Sequence, residues 1–379
     1  MNAMHPDFLV FPYKLILRLR HFLYDKGIRK SVSAGVPTIC VGNITVGGTG
    51  KTPHTEMILR MLLSDSRFGG THIAVLSRGY KRRSRGFQQI SEYSKASFSG
   101  DEPLQIKKKF PQVTVAVDSD RVEGCNLLTH PELLQGRKRR YRRCVNKDFP
   151  AAGLIILDDA FQYRKLRASL NIVLVDWNRP VHKDSLLPFG RLRDLPERLS
   201  KADVIIVTKC PCELDNWERT SFAYALGLPD YASSTCTGTT ASGKKQRVFF
   251  TTISYETPRT LFPESNPRYI YSKRLVLFTG IANDTPLRRY LGDTYKIVQR
   301  FSFPDHHSFT RGDFRKIGRA ASHCPTAALA TTEKDAQRVL DFGKVPDALR
   351  EKMFQIPIRA TFLSEAEERM FLEILESLI

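Results

Sequence analysis

The 379-residue chain is 41% hydrophobic and 26% charged, which makes it foldable but too long for one compact core, so two subdomains are expected. Its 59 Lys+Arg against 39 Asp+Glu give a net charge of +20, a field that favours nucleic acid, an anionic membrane surface or phosphorylated substrates. Seven scattered cysteines exclude a disulfide framework, and no uncharged apolar run is long enough for a conventional membrane-spanning helix.

The first predicted element is a helix over 7–24, DFLVFPYKLILRLRHFLY. Phe8, Leu9, Phe11, Leu15, Ile16, Leu19, Phe22 and Leu23 give it a wide apolar face, edged by Lys14, Arg18, Arg20 and His21. Such a helix suits either the domain core or the plane of an anionic membrane interface, and one stripe could serve each. No cleavable signal peptide is expected here.

Pro37-Thr38-Ile39-Cys40-Val41 follows as a short buried strand, then VGNITVGGTGKTP over 41–53, then a helix through Glu56–Leu63. Strand, Gly-rich loop, Gly50-Lys51-Thr52 and helix is the context of a phosphate-binding loop. Gly47, Gly48 and Gly50 let backbone N–H groups turn toward an anion with no Cβ in the way. The helix N-terminus adds partial positive charge. Lys51 would reach the β- and γ-phosphates and the Thr52 hydroxyl would hold Mg²⁺, with Thr45 and Thr49 completing the loop. Thr45 stands where the general pattern has Gly.

Apolar runs recur at Ile73–Leu76, Val113–Val117, Leu154–Leu157, Ile172–Val175 and Val204–Val207. Continuous runs of this kind suit a parallel sheet covered on both faces. They predict an α/β, P-loop NTPase-like core over 28–230. Arg78, in Ser77-Arg78-Gly79-Tyr80, would stand at the carboxyl edge of that sheet, where ligands bind. Gly100-Asp101-Glu102-Pro103 puts two acids in a turn before a helix. The strand at 154–157 ends in Asp158-Asp159, and such a carboxylate beside a phosphate loop holds Mg²⁺ or its waters. The basic run over 136–143 reads as a solvated or headgroup-facing surface. Cys210-Pro211-Cys212 lacks the two further ligands a zinc site would need.

Residues 231–247 are small and polar and read as a linker. A second, smaller α/β domain follows over 248–379, with strands expected at Val248–Ser254, Leu275–Phe278, Lys296–Val298, Ala327–Ala330 and Phe354–Ile358 and a last helix near Glu365–Leu378. Between its strands, Phe303-Pro304-Asp305-His306-His307 offers an Asp or Asp–His group that could accept a hydroxyl proton during phosphoryl transfer.

Taken together, GNITVGGTGKTP at 42–53, SRGY at 77–80, GDEP at 100–103, DDAFQ at 158–162, LPFGRLRD at 187–194, FTGIAN at 278–283, FPDHH at 303–307 and TTEKDA at 331–336 resemble one family, the tetraacyldisaccharide 4′-kinases of Gram-negative lipid A synthesis. The motifs run in the family's order over nearly the whole chain, and Thr45 is itself typical of it. The resemblance implies ATP-dependent phosphorylation of the 4′-hydroxyl of an acylated glucosamine disaccharide 1-phosphate. It implies a peripheral, monomeric protein on the anionic cytoplasmic face of the inner membrane, with no nucleic-acid partner. Carried over by residue, it implies Lys51 and Thr52 for phosphate and Mg²⁺, and Asp158, Asp159 and Glu102 for the metal. Asp101 becomes the base on the sugar hydroxyl with His306 as partner. Arg78, Arg121 and Arg191 become phosphate or saccharide contacts, and Lys334 and Asp335 face the nucleotide. Ala160 and Tyr163 depart from the family's usual Gly and His.

A second reading is a P-loop GTPase or ATPase acting on protein or nucleic acid. The +20 charge, Thr208-Lys209 and Thr332–Asp335 support it. GDEP and the DHH run weigh against it, because a nucleotide switch needs no acid–His pair for a sugar hydroxyl.

Overall fold

The computed structural model describes residues 6–136, 139 and 141–379, with side chains from residue 10 onward. Expectations resting on Phe8, Leu9 and the basic run through 137, 138 and 140 lie outside the described residues. Helix α1 spans Pro6–Asp25, strand β1 Thr38–Gly42 and α2 Lys51–Ser64. Next come β2 (Ile73–Ser77), β3 (Gln88–Ile90), α3 (Asp101–Lys109), β4 (Thr114–Val117), α4 (Arg121–Thr129), β5 (Leu154–Asp158), β6 (Leu170–Asp176) and β7 (Val204–Thr208). Then follow β8 (Thr237–Thr239), β9 (Lys245–Tyr255), β10 (Arg259–Thr260), β11 (Arg274–Thr279), β12 (Lys296–Ser302) and α5 (Arg311–His323). The chain closes with β13 (Ala328–Thr332), α6 (Glu333–Phe342), β14 (Met353–Ile356), β15 (Ile358–Phe362) and α7 (Glu365–Glu376).

The large sheet has ten strands in the order β8-β9-β7-β6-β1-β5-β2-β4-β3, with β15 paired to β9. From β9 through β4 every pairing is parallel. Its strands read as unbroken apolar runs because both faces are covered. Alternate residues go to opposite layers: Cys40, Ile155, Leu157 and Val173 pack on one face, and Ile39, Val41, Ile156 and Ile172 on the other. The small sheet has five strands in the order β10-β14-β13-β11-β12.

The expected linker at 231–247 is instead part of the large sheet. Thr237–Thr239 pairs with Lys245–Arg247 as an antiparallel ribbon turned at Gly243, whose φ is +82°. Small polar residues look like a linker by composition, but threonine suits an edge strand as well. The Val248–Ser254 strand likewise belongs to the large sheet: Arg247–Phe250 runs parallel to β7, and Thr251–Tyr255 runs antiparallel to β15. The expected strand at 354–358 is two, split at Pro357: β14 lies in the small sheet and β15 in the large one. The small lobe is thus an insertion between β9 and β15, and α7 returns to the large lobe, where Phe371 meets Phe249.

Candidate active site

The phosphate-type loop leaves β1 at Gly42 and enters α2 at Lys51. Gly42 is obligatory there, since a Cβ would stand 2.6 Å from that of Phe161. Gly47 and Gly50 have φ of +108° and +86°, the left-handed region that glycine enters without cost. Asn43 Nδ2 donates to Thr49 Oγ1 at 2.7 Å and to Thr45 Oγ1 at 3.4 Å, tying the loop to its own root. Thr45 bridges to Leu192, and Val46 N–H donates to the Arg191 carbonyl at 2.7 Å. The segment 191–194 therefore lies along the loop. Arg191 Nη1 comes within 3.8 Å of where a Cβ on Gly47 would stand, close against the loop.

Lys51 Nζ lies 3.7 Å from Asp159 Oδ1 and 3.5 Å from Asn43 Oδ1. Thr52 is buried in the first turn of α2. Asp158 and Asp159 close β5 beside the loop, and they differ. Asp159 (φ +51°) is gripped by Arg193 at both oxygens. Burial pushes its pKa up, but Lys51 and Arg193 win and hold it below the ordinary carboxylate range. Asp158 is 3% exposed and accepts from Ser77 Oγ at 3.0 Å, while its Oδ1 has no partner. Burial, then the charges of Glu102 and Asp159, push its pKa up to about 7. A buried carboxylate with one orphaned oxygen fits a cation. Among the described residues there is no cluster of three or more His, Cys, Asp or Glu that could hold a metal ion alone. Mg²⁺ needs none, because it takes one or two carboxylates and completes its shell with water and substrate phosphates.

The second half of the site comes from the small lobe. His306 (φ +60°) and Asp101 Oδ2 are 3.1 Å apart through Nδ1. Lys334 Nζ stands 3.2 Å from His306 Nε2 and 3.0 Å from Glu102 Oε1. An ammonium can only donate, so Nε2 is the acceptor and Nδ1 carries the proton given to Asp101. Burial would lower the Lys334 pKa, but Glu102, Asp101 and Asp305 raise it, so the ammonium persists. The ring of Tyr80 packs edge-on to His306 at 5.4 Å.

Arg338 is the residue the sequence reading missed. Its Nε and Nη2 donate to Asp101 Oδ2 at 2.9 and 2.6 Å. Its Nη1 reaches Asp335 Oδ1 at 2.7 Å and the Gly280 carbonyl at 3.2 Å. The burial penalty on Asp101 is outweighed by the His306 bond and by Lys334 and Arg338, which hold its pKa far below the usual range. Asp101 is thus held ionised between His306 and Arg338. The signal for Arg338 lay four residues beyond Lys334, on the same face of one helix.

Other expected residues fall differently. Arg78 is exposed at the carboxyl end of β2, as the sequence implied. Arg121 is 2% exposed, donating to the Asp118 and Asp158 carbonyls at 2.5 and 3.4 Å. It lies against the strand end that carries the Asp pair, with its Nε unpartnered. Asp335 is buried and accepts from Gly280 N–H at 2.9 Å and from Thr332 Oγ1, so it shapes a turn and does not face a nucleotide. His307 pairs with Asp313 at 2.9 Å and stacks on Phe303, away from Asp101. Gly100 (φ +91°) lets the GDEP turn press against SRGY: a Cβ there would lie 3.4 Å from Gly79 Cα. The two halves meet at SRGY: Ser77 bonds Asp158, and Gly79 packs on Gly100, which leads into Asp101 and Glu102.

A family model described as tetraacyldisaccharide-1-P 4′-kinase matches residues 8–378. The chain is similar to the tetraacyldisaccharide 4′-kinase of Phocaeicola vulgatus, 36% identical over 92% of this chain and 88% of the relative. It is similar to that of Parabacteroides distasonis, 36% identical over 95% and 90%, and to that of Porphyromonas gingivalis, 35% identical over 97% and 94%. Among solved structures it resembles LpxK from Aquifex aeolicus in complex with ATP, with a TM-score of 0.66, 26% identity and 97% of each chain covered.

Proposed function

Because the chain belongs to the tetraacyldisaccharide-1-P 4′-kinase family, we propose that it transfers the γ-phosphoryl group of ATP to the 4′-hydroxyl of a tetraacylated glucosamine disaccharide 1-phosphate. The product is the 1,4′-bisphosphate of lipid A synthesis. The observation that carries this reading is the SRGY turn that links the phosphate-type loop to the Asp101–His306–Lys334 cluster: Ser77 donates to Asp158 beside the loop, and Gly79 packs on Gly100 beside Asp101.

Loop amides between Gly47 and Gly50, with Lys51 and Arg191, hold the triphosphate. Asp158, with its free oxygen, and Thr52 would hold Mg²⁺, and the ion would supply charge neutralisation on the transferring phosphate. Asp159 keeps Lys51 and Arg193 aimed at the loop. Glu102 is better read as the partner that orients Lys334 than as a metal ligand. The sugar hydroxyl would lose its proton to the Asp101–His306 pair. Base character thus passes from Asp101 to the pair. Arg78 is exposed to meet the saccharide or its phosphates.

The lipid approaches from a membrane surface through α1, which docks one stripe and exposes the other. Among the described residues no helix is long and apolar enough to cross a membrane. The exposed stripe of α1 and the family's lipid substrate support peripheral contact at the cytoplasmic face. Nothing favours a nucleotide switch, since Thr332 and Asp335 form a helix cap.

The test is incubation of purified protein with [γ-³²P]ATP, Mg²⁺ and detergent-dispersed acylated disaccharide 1-phosphate. Label on the 4′ oxygen is the expected result. ATP hydrolysis indifferent to the lipid would sink the reading.

A further inference from the structure

Thr208-Lys209 sits outside the chemistry described so far, yet it reaches the phosphate loop. Thr208 Oγ1, fully buried at the end of β7, donates to the Thr49 carbonyl at 3.0 Å. The Lys209 ammonium donates to the Gly48 carbonyl and is held by Asp176 Oδ2 at 2.6 Å. His54 Nδ1 lies 2.7 Å from the Gly50 carbonyl, and its Nε2 lies 2.8 Å from Thr251 Oγ1. A carbonyl only accepts, so Nδ1 carries the proton and Nε2 accepts from Thr251. Burial keeps this imidazole neutral at physiological pH.

Three consecutive carbonyls, those of Gly48, Thr49 and Gly50, therefore each have a side-chain donor from outside the loop. The donors are anchored on β6, β7 and β9. We propose that Thr208, Lys209 and His54 are positioning residues for phosphoryl transfer: they pin the carbonyls of Gly48, Thr49 and Gly50 outward, holding the turn in which Thr49 N–H donates to the Gly47 carbonyl at 2.9 Å and leaving the amides of Gly50 and Lys51 to face the triphosphate. The proposal rests on the kinase reading above.

The physical need follows from the sequence. Three glycines within four residues give a loop whose peptide planes can flip at little cost. Each flip would swap an N–H facing the anion for a carbonyl oxygen, which repels it. An anion nest works only when successive N–H groups converge. Donors on the outer side make each flip cost a hydrogen bond, and so organise the nest before the nucleotide arrives. Backbone strain at Lys209 points the same way. Its φ is +59°, a conformation a lysine adopts only when its surroundings impose it, and it turns the side chain back over the loop. Unlike Lys51, this ammonium is already committed to protein oxygens.

Titration calorimetry of MgATP into the full chain tests this. Thr208→Val removes a donor without changing charge or shape and should weaken ATP binding about five- to tenfold. Thr208→Ser keeps the hydroxyl and should bind within twofold of wild type. Asp176→Asn separates pinning from simple attraction. It makes the neighbourhood more positive, so attraction alone predicts tighter ATP binding, whereas a loosened Lys209 predicts weaker binding. The lipid KM should stay unchanged in all three variants. Thr208→Val binding like wild type, or Asp176→Asn binding more tightly, would overturn the proposal. Should Thr208→Val not fold, Asp176→Asn against wild type still decides. A wild-type chain that binds no ATP would remove the kinase reading and the proposal with it.

Discussion

The two halves of the cleft are built in opposite ways. The loop half is local: Asn43, Thr49 and Lys51 bond one another within eight residues of sequence. The proton-accepting half is remote: Asp101 meets His306 across 205 residues and Arg338 across 237. The first is fixed by glycines and a helix start. The second exists only while the small lobe stays docked, held by buried ion pairs. Lys109 adds to that docking, bonding Glu56 of the loop helix at 2.7 Å and Glu333 of α6 at 2.9 Å. Damage to the local half should fall on the nucleotide and on turnover together, and damage to the remote half on turnover with nucleotide binding intact.

The largest expected effect is at Lys51. Lys51→Ala should cut turnover about 10³-fold, the scale of losing one preorganised cation at a developing charge. The melting temperature should stay near wild type, since Lys51 is only loosely paired. Retained activity would break the phosphate-loop side of the comparison. Next comes His306→Ala, expected to lower kcat about 10²-fold, the lower end of general-base effects, with the ATP dissociation constant unchanged. An equal loss of ATP affinity would mean that the halves are not separable.

Arg338 tests how the remote half is held. Arg338→Met leaves Asp101 and Asp335 buried without their cation, which typically costs about 3–5 kcal/mol. Denaturant unfolding should show that loss, and kcat should fall while ATP still binds. Unchanged stability would sink the idea that this ion pair fastens the lobes.

The same division explains what the sequence made legible. The loop, the strand ending in Asp158-Asp159 and the core strands were readable because each is a contiguous pattern with one physical meaning. The pairing of Asp101 with His306 was expected from the resemblance alone, since no local rule brings residues 101 and 306 together. Arg338 was invisible because an Arg on a helix face is usually solvated, and only the docked lobe buries it. Arg121 was expected as a phosphate or saccharide contact from the resemblance; its burial against the Asp118 and Asp158 carbonyls is a tertiary fact that no local pattern carries. The 231–247 segment misled because composition cannot tell a threonine-rich edge ribbon from a linker.

Asp158 sharpens the local half through pH. Folding raises its pKa from 3.8 to about 7, so between those values the folded chain holds a proton that the unfolded chain has lost. Stability should therefore fall as pH rises through that window, and the cost is complete above it. Asp158→Asn removes the cost. Without metal or nucleotide it should melt several degrees above wild type at pH 8, with the gap closing toward pH 4. A gap independent of pH would show that Asp158 is not the buried, uncompensated carboxylate of the site.

The smallest effect on chemistry, and the one that extends the comparison to the membrane, concerns α1. One stripe of this helix is protein-facing: Leu17 is buried, Tyr13 OH donates to the Arg193 carbonyl at 2.9 Å, and His21 pairs with Asp194 at 2.6 Å. The other stripe, Phe11, Leu15, Ile16, Leu19 and Phe22, is more than half exposed and has Arg18 beside it. Tyr13 grips the residue whose guanidinium holds Asp159, so the helix is fastened to the back of the phosphate half. Replacing Leu15, Leu19 and Phe22 by Ser removes apolar surface without touching the docked stripe. Partition onto anionic vesicles should fall at least tenfold, given roughly 1.5–3 kcal/mol for each large apolar side chain fully withdrawn from water. Turnover of a short-chain, micelle-free substrate should stay within twofold of wild type. Unchanged vesicle binding would assign the exposed stripe no lipid. Lost turnover on the soluble substrate would show that α1 supports Asp159 more tightly than its two bonds to 193 and 194 imply.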